Sequence, residues 1–152
     1  MVYILLAPGF EEAEALVPAD LLRRAGVPVS LAGVEGGTIT GAHGIPVTAD
    51  TAVEQVILHS GDMLVLPGGP GVAALEGSDT VLSLIRQAAQ EETLWLAAIC
   101  AAPTLLARMG LLTGRQAVCY PGMERDLTAN GVTPRMDRST VVDGKFITGR
   151  AP

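Results

Sequence analysis

Short apolar segments with the length of buried strands alternate along this chain with segments of helical pattern. Val2–Ala7 and Met63–Leu66 are two such strands, and Glu11–Ala25 is a helix that Gly26 closes as a C-cap. Parallel strands need crossover connections, which helices on both faces of the sheet supply. Aromatic residues are only 3% of the chain, so the core must be aliphatic, as in buried parallel sheets. The pattern therefore predicts an α/β fold in which helices sandwich a mostly parallel sheet.

Further elements continue this alternation. We predict strands at Pro28–Ala32, Leu94–Ile99, Val118, Thr133–Met136, Thr140–Asp143 and Lys145–Thr148, turns or a short hairpin in Gly33–Gly44 before Ile45–Thr48, a short helix at Val53–Leu58 and a helix from Ser78 or Asp79 to about Glu91. Ligands of such sheets bind outside the carboxyl ends of the strands. Pro67–Gly71 and Cys100 each follow a predicted strand directly, so we expect a site where they meet.

Composition excludes several classes of protein. The 152 residues fit one domain with a substantial core, and a net charge of −6 without any basic run argues against nucleic acid. Two cysteines give neither a disulfide framework nor metal-ligand spacing, so no metal is expected. The apolar opening lacks a basic flank and reads as a first strand rather than a signal peptide, and no apolar run reaches membrane-spanning length. We therefore expect a cytoplasmic protein without a membrane segment.

Cys100 lies between a strand and a helix, as the nucleophile of a sharp strand-to-helix elbow does. Such a turn needs small residues two places before and after the nucleophile, and Ala98 and Ala102 supply them. The start of the following helix would favour the thiolate form of the sulfur. A buried structural cysteine fits the same local pattern, because free cysteine is usually buried.

The helix after the first strand carries three carboxylates in its first turn, Glu11, Glu12 and Glu14. Glu14 shares a helical face with Leu21, which we expect in the core, so Glu14 is the acid predicted to turn inward. Glu12 aligns with Arg23 and fits a solvated face. A carboxyl beside a thiolate would tend to hold its proton and donate it to the sulfur. Acidic residues in a first turn are, however, often only partners of the helix dipole.

The glycine-rich loop after Met63–Leu66 is the third part of the predicted site. Backbone N–H groups of Gly68 and Gly69 can hold a developing oxyanion, an effect worth about 3–4 kcal/mol. Tight turn geometry is the competing explanation for these glycines. The loop matches neither a phosphate-binding loop nor a dinucleotide fingerprint, so we expect no nucleotide cofactor.

Two other residues are assigned from their surroundings. His43 lies in a Gly41–Gly44 turn, from which its side chain could lean over a pocket. Cys119 is placed in an apolar strand, where it would only pack.

These features together resemble the DJ-1/ThiJ/PfpI superfamily, and its DJ-1-like branch most closely. The matching segments are APGFEEAE at 7–14, PAD at 18–20, RRAG at 23–26, LVLPGG at 64–69, AAICAAP at 97–103 and ITGRAP at 147–152. The resemblance implies a flavodoxin-like three-layer sandwich over one domain, 1–152. It also implies a homodimer with the reactive cysteine near the interface. A further implied feature, a C-terminal helix after the Arg-x-Pro segment, is missing from these 152 residues.

The resemblance assigns roles residue by residue. Cys100 matches the reactive cysteine and Glu14 the acid that hydrogen-bonds it, while Gly68, Gly69 and the amide of Ala101 match the backbone pocket. Protease-like relatives carry a histidine at the position of Ala101, so a Cys–His dyad is not evident.

Three residues are candidates for substrate binding. They are His43, where several relatives carry arginine, Tyr120, where some carry histidine, and Arg150 in the Arg-x-Pro segment. His43 could bind an anionic group or act as a base.

The resemblance implies a cysteine-dependent stress-response protein that needs no cofactor. The leading hypothesis is a glyoxalase or deglycase acting on reactive dicarbonyls such as methylglyoxal, free or as a glycated protein. An alternative is a redox sensor or chaperone that responds through oxidation of Cys100. A second alternative is an amidase or cysteine protease.

Overall fold

A seven-stranded sheet forms the centre of the molecule in a computed structural model that describes residues 1–152. Its strands are β1 (Val2–Leu6), β2 (Val29–Gly33), β5 (Thr51–Ala52), β6 (Met63–Leu66), β7 (Trp95–Ile99), β10 (Thr140–Asp143) and β11 (Phe146–Gly149). They are ordered β10-β11-β7-β6-β1-β2-β5. All neighbours are parallel except the β10–β11 hairpin at one edge.

Helices cover both faces of this sheet. They are α1 (Glu12–Arg24), α2 (Val72–Glu76), α3 (Asp79–Gln90), α4 (Ala102–Arg108) and α5 (Glu124–Thr128). Ile4 and Leu6 of β1 pack on the α1 side, whereas Leu5 between them packs on the side of the other four helices. This alternation follows from the period of two in a strand. The predicted three-layer sandwich with a mostly parallel sheet is confirmed.

Two small sheets lie outside the central one. The strands β3 (Thr38–Thr40) and β4 (Pro46–Thr48) form an antiparallel hairpin, and β8 (Gln116–Ala117) pairs in parallel with β9 (Thr133–Pro134). The hairpin is tied to the loop before α1, because the Gly9 amide donates to the Thr40 carbonyl at 2.9 Å. It therefore lies beside the first turn of α1.

Several local predictions were wrong. The segment predicted as a helix at Val53–Leu58 has only a 3-10 turn, Val53–Gln55, because Val56 and Leu58 are buried while Ile57 between them is 67% exposed. That alternation belongs to extended chain. The strand predicted at Val118 ends at Ala117, and α2 and α5 were not predicted because five-residue helices carry too little periodicity.

The sheet order places the candidate site. In the β6–β7 pair Leu66 lies opposite Ala98, so Gly68 and Cys100, two residues further on, leave the same end of adjacent strands. β1 flanks β6 on its other side and leads into α1 at that end. Cys100, Gly68 and the start of α1 therefore converge although they are far apart in sequence. No helix combines the length and the apolar character needed to cross a membrane.

Candidate active site

Cys100 occupies a strained elbow between β7 and α4. Its φ of 64° lies in the left-handed region, which a residue with a side chain adopts at a cost of about 1–3 kcal/mol. Hydrogen bonds on both sides hold it there: its amide donates to the Gly149 carbonyl at 3.0 Å, and its carbonyl accepts from the Tyr120 amide at 2.8 Å. Ala98 and Ala102 are buried against the turn. Cys100 as a whole residue is only 8% exposed.

Glu14 is buried in the first turn of α1 and points toward the sheet. Its Oε2 accepts a hydrogen bond of 2.6 Å from the Gly68 amide, and its Oε1 has no hydrogen-bond partner. The predicted reason for this orientation was wrong, because Leu21 is 60% exposed and not part of the core. Instead, the N-cap Glu11 anchors the turn through a bond of 2.8 Å from the Glu14 amide to Glu11 Oε2.

The glycine loop keeps the sulfur and the carboxyl close together. A Cβ on Gly68 would lie 2.6 Å from the Cβ of Cys100 and 2.7 Å from Oε2 of Glu14, so no other residue fits without displacing them. The Gly68 amide already donates to Glu14 and is not free to hold a substrate oxygen, contrary to the sequence-based expectation. The amides of Gly69 and Ala101 are the donors that face the sulfur, and both act to lower its pKa.

Cys100 and Glu14 compete for one proton. Burial, together with the charge and hydrogen bonding of Glu14, raises the pKa of the Cys100 thiol to about 11. Burial also raises the pKa of Glu14, against the lowering effect of the Gly68 amide. Both groups therefore resist ionisation, and a negative charge on one keeps the proton on the other. Such a pair is suited to passing a proton between sulfur and carboxyl.

Glu12 and His43 form a second ionisable pair that the sequence did not predict. Glu12 is 5% exposed rather than solvated, and its oxygens accept from the His43 amide and from Nδ1 of the His43 ring, both at 2.7 Å. Gly41 makes room for the carboxylate, since a Cβ there would overlap it. His43 therefore lies against the start of α1, with its ring 69% exposed.

Glu12 and His43 each shift the pKa of the other. Burial alone would raise the pKa of Glu12, but the hydrogen bonds from the His43 ring and amide lower it to about 2. The hydrogen bond and charge of Glu12 raise the pKa of His43 in turn. Glu11, Glu12 and His43 are the residues that could hold a metal ion, with donor atoms within 4.8 Å of one another. Glu12 is, however, already engaged by His43.

The remaining predicted residues lie near the elbow or at the surface. Tyr120 is 48% exposed and touches the site through its backbone bond to Cys100. Arg150 is exposed, and its guanidinium donates to the Met136 carbonyl at 3.5 Å. Cys119 is fully buried but lies outside any strand, which corrects its placement in an apolar strand.

A groove of about 190 Å³ opens between α1 and the sheet beside Glu14. Apolar residues of the sheet form most of its wall. The lining residues are Glu14, Pro18, Val65, Ala97, Ala98, Ile99, Thr140, Ile147 and Gly149. Neither Cys100 nor His43, Tyr120 or Arg150 is among them, so the groove meets the candidate site only through Glu14.

The chain is thus an α/β sandwich in which a strained cysteine elbow faces a buried acid across a glycine loop. The model of the DJ-1/PfpI family matches residues 1–152, and the chain belongs to that family. It is 37% identical over 150 residues to protein dj-1beta of Drosophila melanogaster, covering 98% of this chain and 80% of that protein. Deglycase PH1704 of Pyrococcus horikoshii is 36% identical over 151 residues, covering 99% of this chain and 90% of that protein.

Solved structures agree with this assignment. The crystal structure of Drosophila melanogaster DJ-1beta matches with a TM-score of 0.92 at 39% identity, covering 99% of this chain and 81% of that one. A DJ-1 superfamily protein from Salmonella typhimurium matches with a TM-score of 0.87 at 33% identity, covering 99% of this chain and 80% of that one. It was crystallised with one of its cysteines replaced by alanine. The expected membership of the superfamily is confirmed.

Proposed function

We propose that this protein is a cysteine-dependent stress-response enzyme that converts reactive dicarbonyls of the methylglyoxal type. The observation that carries the proposal is the strained Cys100 elbow, with Glu14 held directly across Gly68 from it. Relatives named deglycase, among them those of Pyrococcus horikoshii and Pyrococcus abyssi, support a carbonyl substrate. The substrate would be a small free dicarbonyl or its adduct on a protein.

The first step is addition of sulfur to the aldehyde carbon. Glu14 takes the thiol proton as the S–C bond forms, and the product is a hemithioacetal whose oxygen carries the displaced electron pair. The amides of Gly69 and Ala101, which face the sulfur, hold this oxygen. The raised pKa of Glu14 suits this step because it brings the acidity of the carboxyl closer to that of the thiol.

Proton movement then completes the conversion. Glu14 first returns the thiol proton to the hemithioacetal oxygen and is ionised again. It then takes the proton of the former aldehyde carbon and delivers it to the neighbouring carbonyl carbon, while the hemithioacetal hydroxyl proton passes to the ketone oxygen, which leaves a lactoyl thioester on Cys100. Water cleaves the thioester and regenerates the thiol, so methylglyoxal plus water gives lactate. No cofactor enters this scheme.

The test measures methylglyoxal consumption together with lactate release. Cys100→Ser and Glu14→Gln are each expected to abolish lactate formation, whereas the control Cys119→Ser retains it. Full turnover by Cys100→Ser would refute the proposal. Release of lactate from a methylglyoxal-treated peptide, measured with the same variants, separates deglycase from glyoxalase activity.

A redox-sensing role of Cys100 is the second candidate. The observation that favours it is the buried, unpartnered Oε1 of Glu14, because this carboxyl faces Cys100 across Gly68 and can hydrogen-bond an oxygen added to the sulfur. Mass spectrometry after mild peroxide treatment tests this role, which requires Cys100 to oxidise faster than a model thiol. We do not propose peptide hydrolysis, because His43 is bound to Glu12 and Ala101 occupies the position of the relatives' histidine.

We further propose that the protein acts as a homodimer in the cytoplasm. Val17 and Leu21, one turn apart on α1, are 54% and 60% exposed, and Pro18 between them lines the apolar groove beside Glu14. A second copy covering α1 would bury them next to the candidate site. The net charge of −6 gives no support to a nucleic-acid partner.

A further inference from the structure

The only two cysteines of the chain lie on segments that are hydrogen-bonded to each other. The amide of Tyr120, the residue directly after Cys119, donates to the Cys100 carbonyl at 2.8 Å. Adding standard bond geometry on each side of this hydrogen bond limits the separation of the two Cα atoms to about 7.6 Å, even if all atoms were in line. Disulfides join Cα atoms about 4.4–6.8 Å apart. The backbones are therefore close enough for a disulfide with little or no movement.

The surroundings of Cys119 allow that movement. Its thiol donates to the Tyr120 carbonyl at 3.4 Å, the one hydrogen bond that the side chain makes. Residues 118–122 lie between β8 and α5, outside any strand or helix. Turning the Cys119 side chain toward the elbow therefore breaks one weak sulfur bond and no strand pairing, and it moves the side chain from the edge of the apolar core in which it is buried.

Exposure gives the two sulfurs different roles. Cys100 reaches the surface through its 8% exposed fraction, whereas Cys119 has no exposed area. A dissolved oxidant therefore meets Cys100 first. Cys119 can act only on a neighbour within the protein, as a resolving cysteine does.

We propose that Cys119 is the resolving cysteine of Cys100, so that oxidation by hydrogen peroxide or an organic hydroperoxide gives a reversible Cys100–Cys119 disulfide. In the first step the Cys100 sulfur takes one oxygen from the peroxide, giving a sulfenic acid together with water from hydrogen peroxide or an alcohol from an organic hydroperoxide. In the second step the Cys119 sulfur attacks that of Cys100, the S–O bond breaks and the hydroxyl leaves as water with the Cys119 proton. Two thiols and one hydrogen peroxide become one disulfide and two waters, and with an organic hydroperoxide an alcohol replaces one of the waters.

The protonation state of Cys119 agrees with this order of events. Burial, together with the charges of Glu124, Asp126 and Cys100, raises the pKa of its thiol to about 11. Cys119 therefore holds its proton until the attack, when the leaving hydroxyl takes it. The disulfide would remove the Cys100 thiol from any carbonyl reaction and protect it from further oxidation. This inference stands whether or not the proposed dicarbonyl activity is found.

Tryptic peptide mapping under non-reducing conditions tests the proposal directly on the wild-type chain. Cys100 lies in peptide Gln87–Arg108 and Cys119 in peptide Gln116–Arg125. After equimolar peroxide and blocking of free thiols, we expect a cross-linked pair about 2 Da lighter than the sum of the two peptides, released by dithiothreitol. Wild-type protein that instead gains about 32 Da on Cys100, with Cys119 still free, would overturn the proposal.

A matched variant and the oligomeric state complete the test. Cys119→Ser is expected to accumulate sulfinic acid at Cys100 at a peroxide dose that leaves wild type as the disulfide. Equal sulfinic acid in both proteins contradicts the proposal, as does a disulfide found only between two chains on a non-reducing gel. Cys119→Ala is the substitute if the serine destabilises the buried site, and thermal melts of the reduced proteins check folding.

Discussion

The side chains of Cys100 and Glu14 lie so close together that only a glycine, Gly68, fits between them. A Cβ on Gly68 would lie 2.6 Å from the Cβ of Cys100 and 2.7 Å from Oε2 of Glu14, while the Gly68 amide holds that same oxygen at 2.6 Å. The glycine thus fixes the spacing of the two groups and positions the acid. Because Glu14, Gly68 and Cys100 follow three different strands of the sheet, β1, β6 and β7, the spacing is a property of the sheet and not of any local motif.

Gly68→Ala tests this spacing. The added methyl group must displace the Cys100 side chain or the Glu14 carboxylate, and overpacking of this kind typically costs about 1–3 kcal/mol. We expect a lower melting temperature and a loss of lactate formation of at least about tenfold, as misplaced reacting groups cause.

Gly37→Ala is the matched control for that substitution. A Cβ on Gly37 meets nothing within 4 Å, and neither Gly68 nor Gly37 has a left-handed φ, so backbone strain does not distinguish them. We expect this variant to keep wild-type activity and stability. Unchanged activity in Gly68→Ala would show that the close spacing is not required for turnover.

Glu14→Gln separates the charge of the acid from its shape. The ionised carboxylate raises the pKa of Cys100, so a neutral amide of the same size is expected to lower that pKa. The rate of alkylation by iodoacetamide, followed between pH 6 and 10, measures the change. In the Cys119→Ser background only Cys100 can react. We expect faster alkylation near pH 8 together with lost turnover, and a higher pKa in the variant would contradict this account.

His43→Gln tests the pair at the start of α1 through the pH dependence of stability. Because Glu12 raises the pKa of His43, the charged pair stabilises the fold fully below the ordinary histidine pKa of 6.5. This contribution is lost as the pH rises through the raised value. Glu12, with a pKa of about 2, stays ionised over the same range. The difference in melting temperature between wild type and variant should therefore be largest near pH 5–6 and shrink toward pH 9.

His59→Gln is the control for the His43 experiment. The His59 ring is 75% exposed and lies 3.8 Å from Asp62, without the short contact that His43 makes to a buried carboxylate. We expect its melting temperature to follow that of wild type at every pH. If His43→Gln also followed wild type, the pair would have no measurable role in stability.

Leu21→Glu tests the proposed dimer. A charge in the centre of the exposed α1 surface would have to be buried without a partner, so we expect a monomer by light scattering after size exclusion. Ile57→Glu, which alters an apolar side chain of 67% exposure outside α1, should leave a wild-type dimer. A monomeric wild type, or a Leu21→Glu dimer, would contradict the proposal.

Some parts of this site could be predicted because they depend on neighbours in sequence. Ala98 and Ala102 identify the elbow at Cys100, since only small residues allow so sharp a turn. The helical pattern of Glu11–Ala25 and its Gly26 cap predicted α1 almost to the residue. The same pattern gave the wrong face for Leu21 and for Glu12, because periodicity shows which residues share a face but not what that face meets.

The sequence by itself determined the class of fold, the family, the elbow and the identity of the acid beside the cysteine. Only the tertiary structure decided three contacts. The Gly68 amide donates to Glu14, Glu12 is buried against His43, and the segment that carries Cys119 is hydrogen-bonded to Cys100. The physical reason is the distance along the sequence over which each interaction acts. Turns, caps and periodicity act over a few residues, whereas these contacts join segments far apart in the sequence. Glu14, Gly68 and Cys100 meet because the order of parallel strands places the carboxyl ends of β1, β6 and β7 together, and the segments of His43 and Cys119 are packed against that end by the tertiary fold.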